Sequence, residues 1–262
     1  MKKLTGHIIK SMNNWVENNI NEVVFMEIIK IDLESVNCYL GKQGDNFVLF
    51  DTGGHLVMDK KFTNRRELLE AELSKAGCTP DNLKLVVLTH GDNDHVANAK
   101  FIKEKYNAKI AMHSADVELV FKPTLEKMME SFNYKALIYK IVFKLMKGKI
   151  EKVTQKVLGD YEDFKPDIML KDGDSLLEYG FDANILHVPG HTKGSIAILS
   201  DLGDIISGDT FTNNKTPEAA PNAIDFEKLQ KSIARLCTIN SRTVYPGHGA
   251  PFEMKIFKTK SS

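Results

Sequence analysis

Cysteine is scarce in this 262-residue chain: Cys38, Cys78 and Cys237 lie far apart, and none sits in a C-x-x-C pair. So odd and dispersed a set excludes a disulfide framework and a structural zinc knuckle, and it suits a reducing cytoplasm. Charge of one sign is lacking too, because 35 Lys and Arg balance 35 Asp and Glu. That neutrality argues against nucleic-acid binding, whose affinity comes largely from phosphate neutralisation. No uncharged apolar run approaches the ~18–20 residues needed to span a bilayer. Lys2 and Lys3 are not followed by the ~7–15-residue apolar stretch of a signal peptide. With 42% hydrophobic and 27% charged residues, the composition is ordinary for a globular protein, and wholesale disorder is excluded. A soluble, cytoplasmic protein with no membrane association is expected.

Residues 1–22 are polar and Asn-rich and read as an N-terminal arm. Strand-like runs at Val23–Ile31, Ser35–Leu40 and Phe47–Phe50 follow, rich in Val, Ile and Phe and punctuated by glycine. The spacing of Leu68, Leu69, Leu73 and Ala76 predicts a helix over 64–77 with Asn64 as N-cap. A buried strand, Lys84–Thr89, runs straight into His90; a helix is predicted from about Asp94, then a strand at Ala108–Met112. Residues 114–160 form a lysine-rich insertion in which Tyr134, Leu137, Ile138, Ile141, Val142, Leu145 and Met146 mark an amphipathic helix. Short strands return at Ile168–Leu170, Ser175–Glu178, Ala183–Val188, Ser195–Leu199 and Asp204–Ile206. A helix at about Phe226–Cys237 and a strand at Thr243–Tyr245 lead to His248. Two runs of strands with helices predict two packed sheets with helices outside, closed into one domain over 1–262.

Chemistry concentrates at strand ends. His90, Asp92, Asp94 and His95 place four candidate metal ligands within six residues after a buried strand. Imidazole and carboxylate together suit zinc, iron or manganese. His191 follows the turn Pro189-Gly190, Asp209 ends another strand, and His248 sits in Pro-Gly-His-Gly at the end of the last. Asp51 closes the third strand-like run. Each alone is weak, but ligands at strand ends converge on one edge of a sheet.

This ordered set resembles the metallo-β-lactamase superfamily, whose signature is a strand ending in Asp, then H-x-H-x-D-H, a P-G-H-T turn, a G-D and a final P-G-H-G. The resemblance covers residues 23–250 and implies an α+β fold, the four-layer αββα sandwich, with 114–160 as a helical insertion. It implies two divalent metal ions, zinc first, with iron or manganese as alternatives. His90 and His191 would hold one ion, Asp94, His95 and His248 the other, and Asp209 would bridge them, with Asp51 orienting a ligand loop. His187 matches a position that is not a ligand in the family. His7 and His113 read as structural, and His55 as a candidate for the cleft wall.

One departure matters: Asp92 stands where the family has its second histidine. A third carboxylate makes a two-metal site one unit less positive, hence a weaker Lewis acid that tolerates harder ions. Asp92 is expected either to ligate or to shuttle protons, beside Asp94 in the catalytic set. It also resembles the Glu of the flavodiiron branch in charge, which opens an alternative diiron redox role, although no flavin domain or G-x-G-x-x-G accompanies it here. The resemblance implies hydrolysis by a metal-bridging hydroxide, with no serine nucleophile, since Ser195 lacks a G-x-S-x-G context. Asp209, with no cysteine nearby, disfavours β-lactam hydrolysis. Phe211, where quorum-quenching lactonases have Tyr, disfavours that branch. A small ester or thioester is the expected substrate, with a phosphodiester as the alternative. The insertion is expected to roof the site, or to pack on the core or on a second subunit in a homodimer, with a membrane surface as the alternative open to a basic amphipathic helix. Its Lys135, Lys140, Lys144, Lys147, Lys149 and Lys152 are candidates for attracting an anionic CoA or glutathione conjugate.

Overall fold

The computed structural model describes residues 26–56 and 61–261. Residues 1–22, with His7, lie outside the described residues. Six strands form the first sheet in chain order: β1 (Met26–Asp32), β2 (Asn37–Gln43), β3 (Asn46–Phe50), β4 (Leu83–Val87), β5 (Lys109–His113) and β6 (Ile168–Leu170). The first three pair antiparallel, and β3 to β6 run parallel. The second sheet is built from β7 (Ala183–His187), β8 (Ile196–Ser200), β9 (Ile205–Asn213), β10 (Glu218–Ala219), β11 (Thr243–Gly249) and β12 (Phe252–Glu253). Its order is β12-β11-β9-β8-β7, with β10 added to β9.

The period-2 alternation of the strands separates the layers. In β3 and β4, Val48, Phe50, Leu85 and Val87 point between the sheets, where they meet Phe181, Ile185, Ile196, Ile198 and Ile206. Their neighbours Phe47, Leu49, Val86 and Leu88 point outward. There they meet Leu69 and Leu73 of α1 (Arg66–Lys75) and Ile102 and Tyr106 of α3 (Ala99–Tyr106). On the far side Ala197, Ile205 and Val244 pack under Leu229, Ile233 and Leu236 of α7 (Phe226–Thr238) and Phe257 of α8 (Met254–Ser261). Three separate apolar cores between four layers define an αββα sandwich.

Several elements depart from the sequence expectation. Helix α1 begins at Arg66, because Arg65 adopts φ 60° and the Asn64 side chain accepts from the Arg66 N–H outside the helix. Residues 175–178 form no strand: Ser175 makes a single bridge to Asn184, and a 3-10 turn at Leu177–Tyr179 ends on Gly180. Strand β11 continues to Gly249 and carries His248 within it.

The insertion contains a 3-10 turn at Ser114–Asp116, α4 (Val117–Val120), α5 (Leu125–Glu130) and the long α6 (Leu137–Asp160). Of the predicted apolar stripe, Tyr134 lines a cavity, while the helical part from Leu137 to Leu145 does not pack on the described core. Leu137, Ile138, Tyr139, Ile141, Val142 and Leu145 are all exposed. The residues of α6 that bury are Ile150, Thr154 and Val157, further along the helix on a different face.

Phe181 is among the largest side chains between the sheets, 1% exposed with its ring 5.4 Å from that of Phe50. Truncation there leaves a cavity walled by both sheets. Phe181→Ala is expected to lower unfolding free energy by about 3–5 kcal/mol in urea titration, with the native fold retained.

Candidate metal centre

All the motif carboxylates and imidazoles gather at one edge of the sandwich. Asp51 follows β3; His90 and Asp92 follow β4; Asp94 and His95 lie in the short helix α2 (Asn93–Val96). His191 lies in the β7–β8 loop, Asp209 in β9 and His248 in β11. Three three-residue groups bring one ligand atom each within 4.8 Å of the others: Asp51, His90 and His95 behind the site, and, facing it, His90, His191 and Asp209, and Asp94, His95 and His248. Asp92 stands beside the His90, His191 and Asp209 group, its Oδ2 3.1 Å from His191 Nε2 and 3.9 Å from His90 Nε2. Asp209 faces both of the last two groups: Oδ1 is 3.4 Å from His95 Nε2, and Oδ2 is 3.3 Å from His248 Nε2 and 3.7 Å from His191 Nε2.

The hydrogen bonds on the other ring nitrogen fix which face of each imidazole is available. His191 Nδ1 donates to Asn222 O, and His248 Nδ1 to Ser35 O, since a carbonyl can only accept. His95 Nδ1 donates to the Asp51 carboxylate at 2.9 Å. Thr89 Oγ1 donates to Asp51 Oδ2 at 2.8 Å, so it accepts from His90 Nδ1 at 2.9 Å. All four rings therefore commit Nδ1–H to an oxygen and turn Nε2 to the centre, the arrangement found behind metal-ligating histidines. Tetrahedral zinc with bonds of about 2.0–2.1 Å has ligand–ligand edges of roughly 3.3–3.4 Å. The 3.4 Å between His248 Nε2 and Asp94 Oδ2 and the 3.5 Å between His95 and His248 Nε2 fit that size. His90 Nε2 and Asp209 Oδ1 are buried with no hydrogen-bond partner, so the donor set is incomplete without a cation. The residues present fit the metals that the motifs imply.

Proton affinities follow from the crowding of charge. Burial and the neighbouring His95 and His191 hold His90 well below the usual imidazole range, so its Nε2 stays bare. Burial alone would lower His191, but Asp92 and Asp209 outweigh it and raise the ring to about 9. His95 and His248 are likewise raised, against burial, by Asp209 and Asp94. Burial pushes the Asp209 carboxyl up, yet His248 and His95 overcome it and hold the group well below the usual range. Without metal, protons on Nε2 supply the positive charge that the carboxylates demand.

Two residues that sequence reasoning passed over complete the frame. Thr89 links Asp51 to His90, donating to one and accepting from the other. Asp116, 1% exposed, accepts from Gly91 N, Gly194 N and Thr192 Oγ1, tying the His90 loop to the His191 loop. Burial raises its carboxyl to about 6 in spite of those three bonds. Nothing local marks Asp116, which follows an ordinary strand; the one hint is that Gly91 and Gly194 offer bare backbone N–H groups. Close approach also explains two motif glycines. A Cβ on Gly190 (φ 144°) would lie 2.2 Å from Leu229 N, and one on Gly247 would lie 2.1 Å from Asp209 Oδ1. Ser195 is buried and engaged with Thr192, in no position to act as a nucleophile. His113 and His187 stack on each other at 4.0 Å and belong to none of the ligand groups.

A cavity of about 940 Å³ opens over Asp92, Asp94, Asp209 and His248. The insertion walls part of it through Met128, Phe132, Tyr134, Thr154 and Val157. His55 also lines it, donating from Nε2 to Asp160 Oδ2 at 2.6 Å while its Nδ1 has no partner. None of the six insertion lysines named above lines the cavity; all are exposed.

The profile of the metallo-beta-lactamase superfamily matches residues 31–248, and the chain belongs to that family. It is 25% identical over 235 residues to the hydroxyacylglutathione hydrolase GloC of Haemophilus influenzae, an alignment covering 86% of this chain and 91% of that protein. Among solved structures it resembles a metallo-beta-lactamase family protein of Thermus thermophilus, with TM-score 0.62, 21% identity and coverage of 90% and 77% of the two chains. It also resembles TTHA1623, solved in a di-iron-bound form, with TM-score 0.56, 21% identity and coverage of 88% and 96%.

Two outcomes are expected. A metal must displace the Nε2 proton of His191, which titrates near 9. Loading metal at pH 7 should therefore acidify a weakly buffered solution, and affinity should rise as pH is raised toward 9; both are read by calorimetry in buffers of different ionisation enthalpy. Gly247→Ala should displace the Asp209 carboxylate and lower bound metal, counted by elemental analysis, while far-UV circular dichroism stays unchanged.

Proposed function

We propose that the chain is a metal-dependent hydrolase of a small ester or thioester. The observation that carries this reading is the set of four buried or half-buried imidazoles. Their Nδ1–H groups are all spent on oxygens, and their Nε2 atoms face two carboxylates at metal-ligand spacing. The likeness to GloC, a hydroxyacylglutathione hydrolase, supports a thioester among the acyl substrates. A pair of divalent ions held there would supply Lewis acidity, polarising an acyl carbonyl and acidifying a water between them.

In this assignment His90 and His191 would hold the first ion, Asp94, His95 and His248 the second, and Asp209 would serve both. Asp51 keeps His95 and, through Thr89, His90 in the ligating tautomer. Asp92 lies on the cavity wall within reach of His191, so its carboxylate either completes the first ion's shell or takes the proton from attacking water. Asp94 shares the second ion with His248. Zinc is the first choice of metal. Iron is the second: the third carboxylate favours a harder ion, and a structural relative was solved with two irons.

The substrate's arm would lie along the cavity. Its wall is mostly apolar near the insertion, but His55 Nδ1 and Thr154 Oγ1 are buried there with no partner. They are free to bond a polar group on an otherwise apolar acyl arm. The exposed insertion lysines lie outside that cavity and give no support to their role in seating an anionic conjugate.

The test is turnover of a panel of acyl thioesters and esters, with metal counted on the same untagged sample. Expected are two ions per chain, hydrolysis abolished by chelation and restored by zinc, manganese or iron, and altered metal affinity in Asp92→His. Bound iron with oxygen consumption and no hydrolysis would overturn the reading in favour of diiron redox chemistry. Metal-independent hydrolysis would overturn it altogether.

A further inference from the structure

The first half of α6 is built against the usual logic of a surface helix. Leu137, Ile138, Ile141, Val142 and Leu145 recur at i, i+1, i+4, i+5 and i+8, which places them on one face. Among the described residues that face has little to pack on: Leu145 is 82% exposed and Leu137 71%. Six of the eleven large apolar side chains exposed among the described residues fall between Leu137 and Leu145. Scattered apolar side chains are normal on a surface, but a contiguous apolar face marks an interaction site.

Charge selects the partner. Residues 135–149 carry five lysines, Lys135, Lys140, Lys144, Lys147 and Lys149, and no carboxylate, in a chain with no net charge. Lys147 reaches Glu151 at 3.7 Å; all five side chains are exposed. A second copy docked through the same face by a two-fold axis would set these lysines against their equivalents, a like-charge contact that costs affinity. An anionic surface gains from the same lysines. No helix among the described residues is long and apolar enough to cross a membrane. An exposed apolar face with flanking lysines has instead the make-up of a helix that lies in the headgroup plane.

We infer that the Leu137–Leu145 face of α6 docks on an anionic lipid bilayer, its leucines and isoleucines entering the acyl boundary and its lysines meeting the headgroups. This proposal stands against the expectation of no membrane association and the alternative of a homodimer through the insertion. A consequence rests on the hydrolase reading: the side of α6 adjoining that face, with Tyr139 and Phe143, leads into the cavity. Tyr139 on α6 stacks near Tyr134 at 5.8 Å, Phe143 stacks on Phe132 at 5.8 Å, and both Tyr134 and Phe132 line the cavity. This aromatic cluster gives a lipophilic acyl substrate an apolar route from the bilayer to the metal centre.

The experiment is flotation of the full chain with vesicles of equimolar phosphatidylglycerol and phosphatidylcholine, beside vesicles of phosphatidylcholine alone. The wild type should float with the anionic vesicles, less so as salt is raised, and poorly with the neutral ones. Lys140→Gln with Lys144→Gln should weaken partitioning by roughly twenty-five-fold, about five-fold per lysine. Leu137→Ser with Ile141→Ser and Leu145→Ser should abolish it. These side chains are exposed, so both variants should keep the wild-type melting temperature and metal content. Binding equal to wild type in either variant, or no binding of wild type to anionic vesicles, would overturn the proposal. So would a wild-type dimer in sedimentation that the serine variant dissociates. Flotation reads no turnover, so a failed hydrolase assay leaves this result standing, and the converse holds.

Discussion

A single buried carboxylate sets the geometry on which the site depends. Asp51 sits at the end of β3 with φ 62°, a left-handed conformation that an aspartate adopts at some cost. In return its two oxygens reach Thr89 N, Thr89 Oγ1 and His95 Nδ1. One side chain thus joins the ends of β3 and β4 to α2, and fixes the tautomer of one ligand directly and of another through a hydroxyl. Such buried networks hold their members tightly because a lost partner leaves an unsatisfied group in a poorly solvated place. The turn at Asp51, strained in isolation, is held by three bonds that only the assembled edge can supply.

The two sheets are locked together at the same edge. Tyr39 donates from its hydroxyl to Pro246 O, and Asn37 donates to both Pro246 O and Gly249 O. These bonds run from β2 in the first sheet to the strand bearing His248 in the second. His248 itself donates to Ser35 O. Asp116 does the same service for the His191 loop. Ligands from both sheets thus stay in register because buried polar bonds bridge the sandwich where it opens, while apolar packing holds it elsewhere.

How much of this was legible follows from what kind of signal each part leaves. His90, Asp94, His95, His191, Asp209 and His248 stand out in the sequence because they cluster at the ends of apolar runs, with Gly91, Gly190, Gly208 and Gly247 among them. The layers were legible because strand alternation records burial on each face. Asp116, Thr89 and the His55–Asp160 contact were not, since their partners are distant in sequence and common residue types make them. Residues 175–178 looked like a strand by composition. The left-handed Gly180 that ends a 3-10 turn there decided otherwise.

The insertion shows the limit most clearly. Periodicity identified an apolar face at Leu137–Leu145, and an apolar face in a globular chain is normally a buried one. Periodicity reports that a face is apolar; it does not report what covers it. Here the burying residues of α6 are Ile150, Thr154 and Val157, one a threonine, and its first half meets the described body of the protein through the rings of Tyr139 and Phe143. The same helix therefore has two solvents. Its second half walls the cavity, and its first half, more apolar and more basic, projects beyond it. If folding stability had shaped the first half, a polar surface would have served it better, because exposed leucines add nothing to the core. Its composition answers to something outside the described residues, and the accompanying lysines favour a surface both apolar and negative.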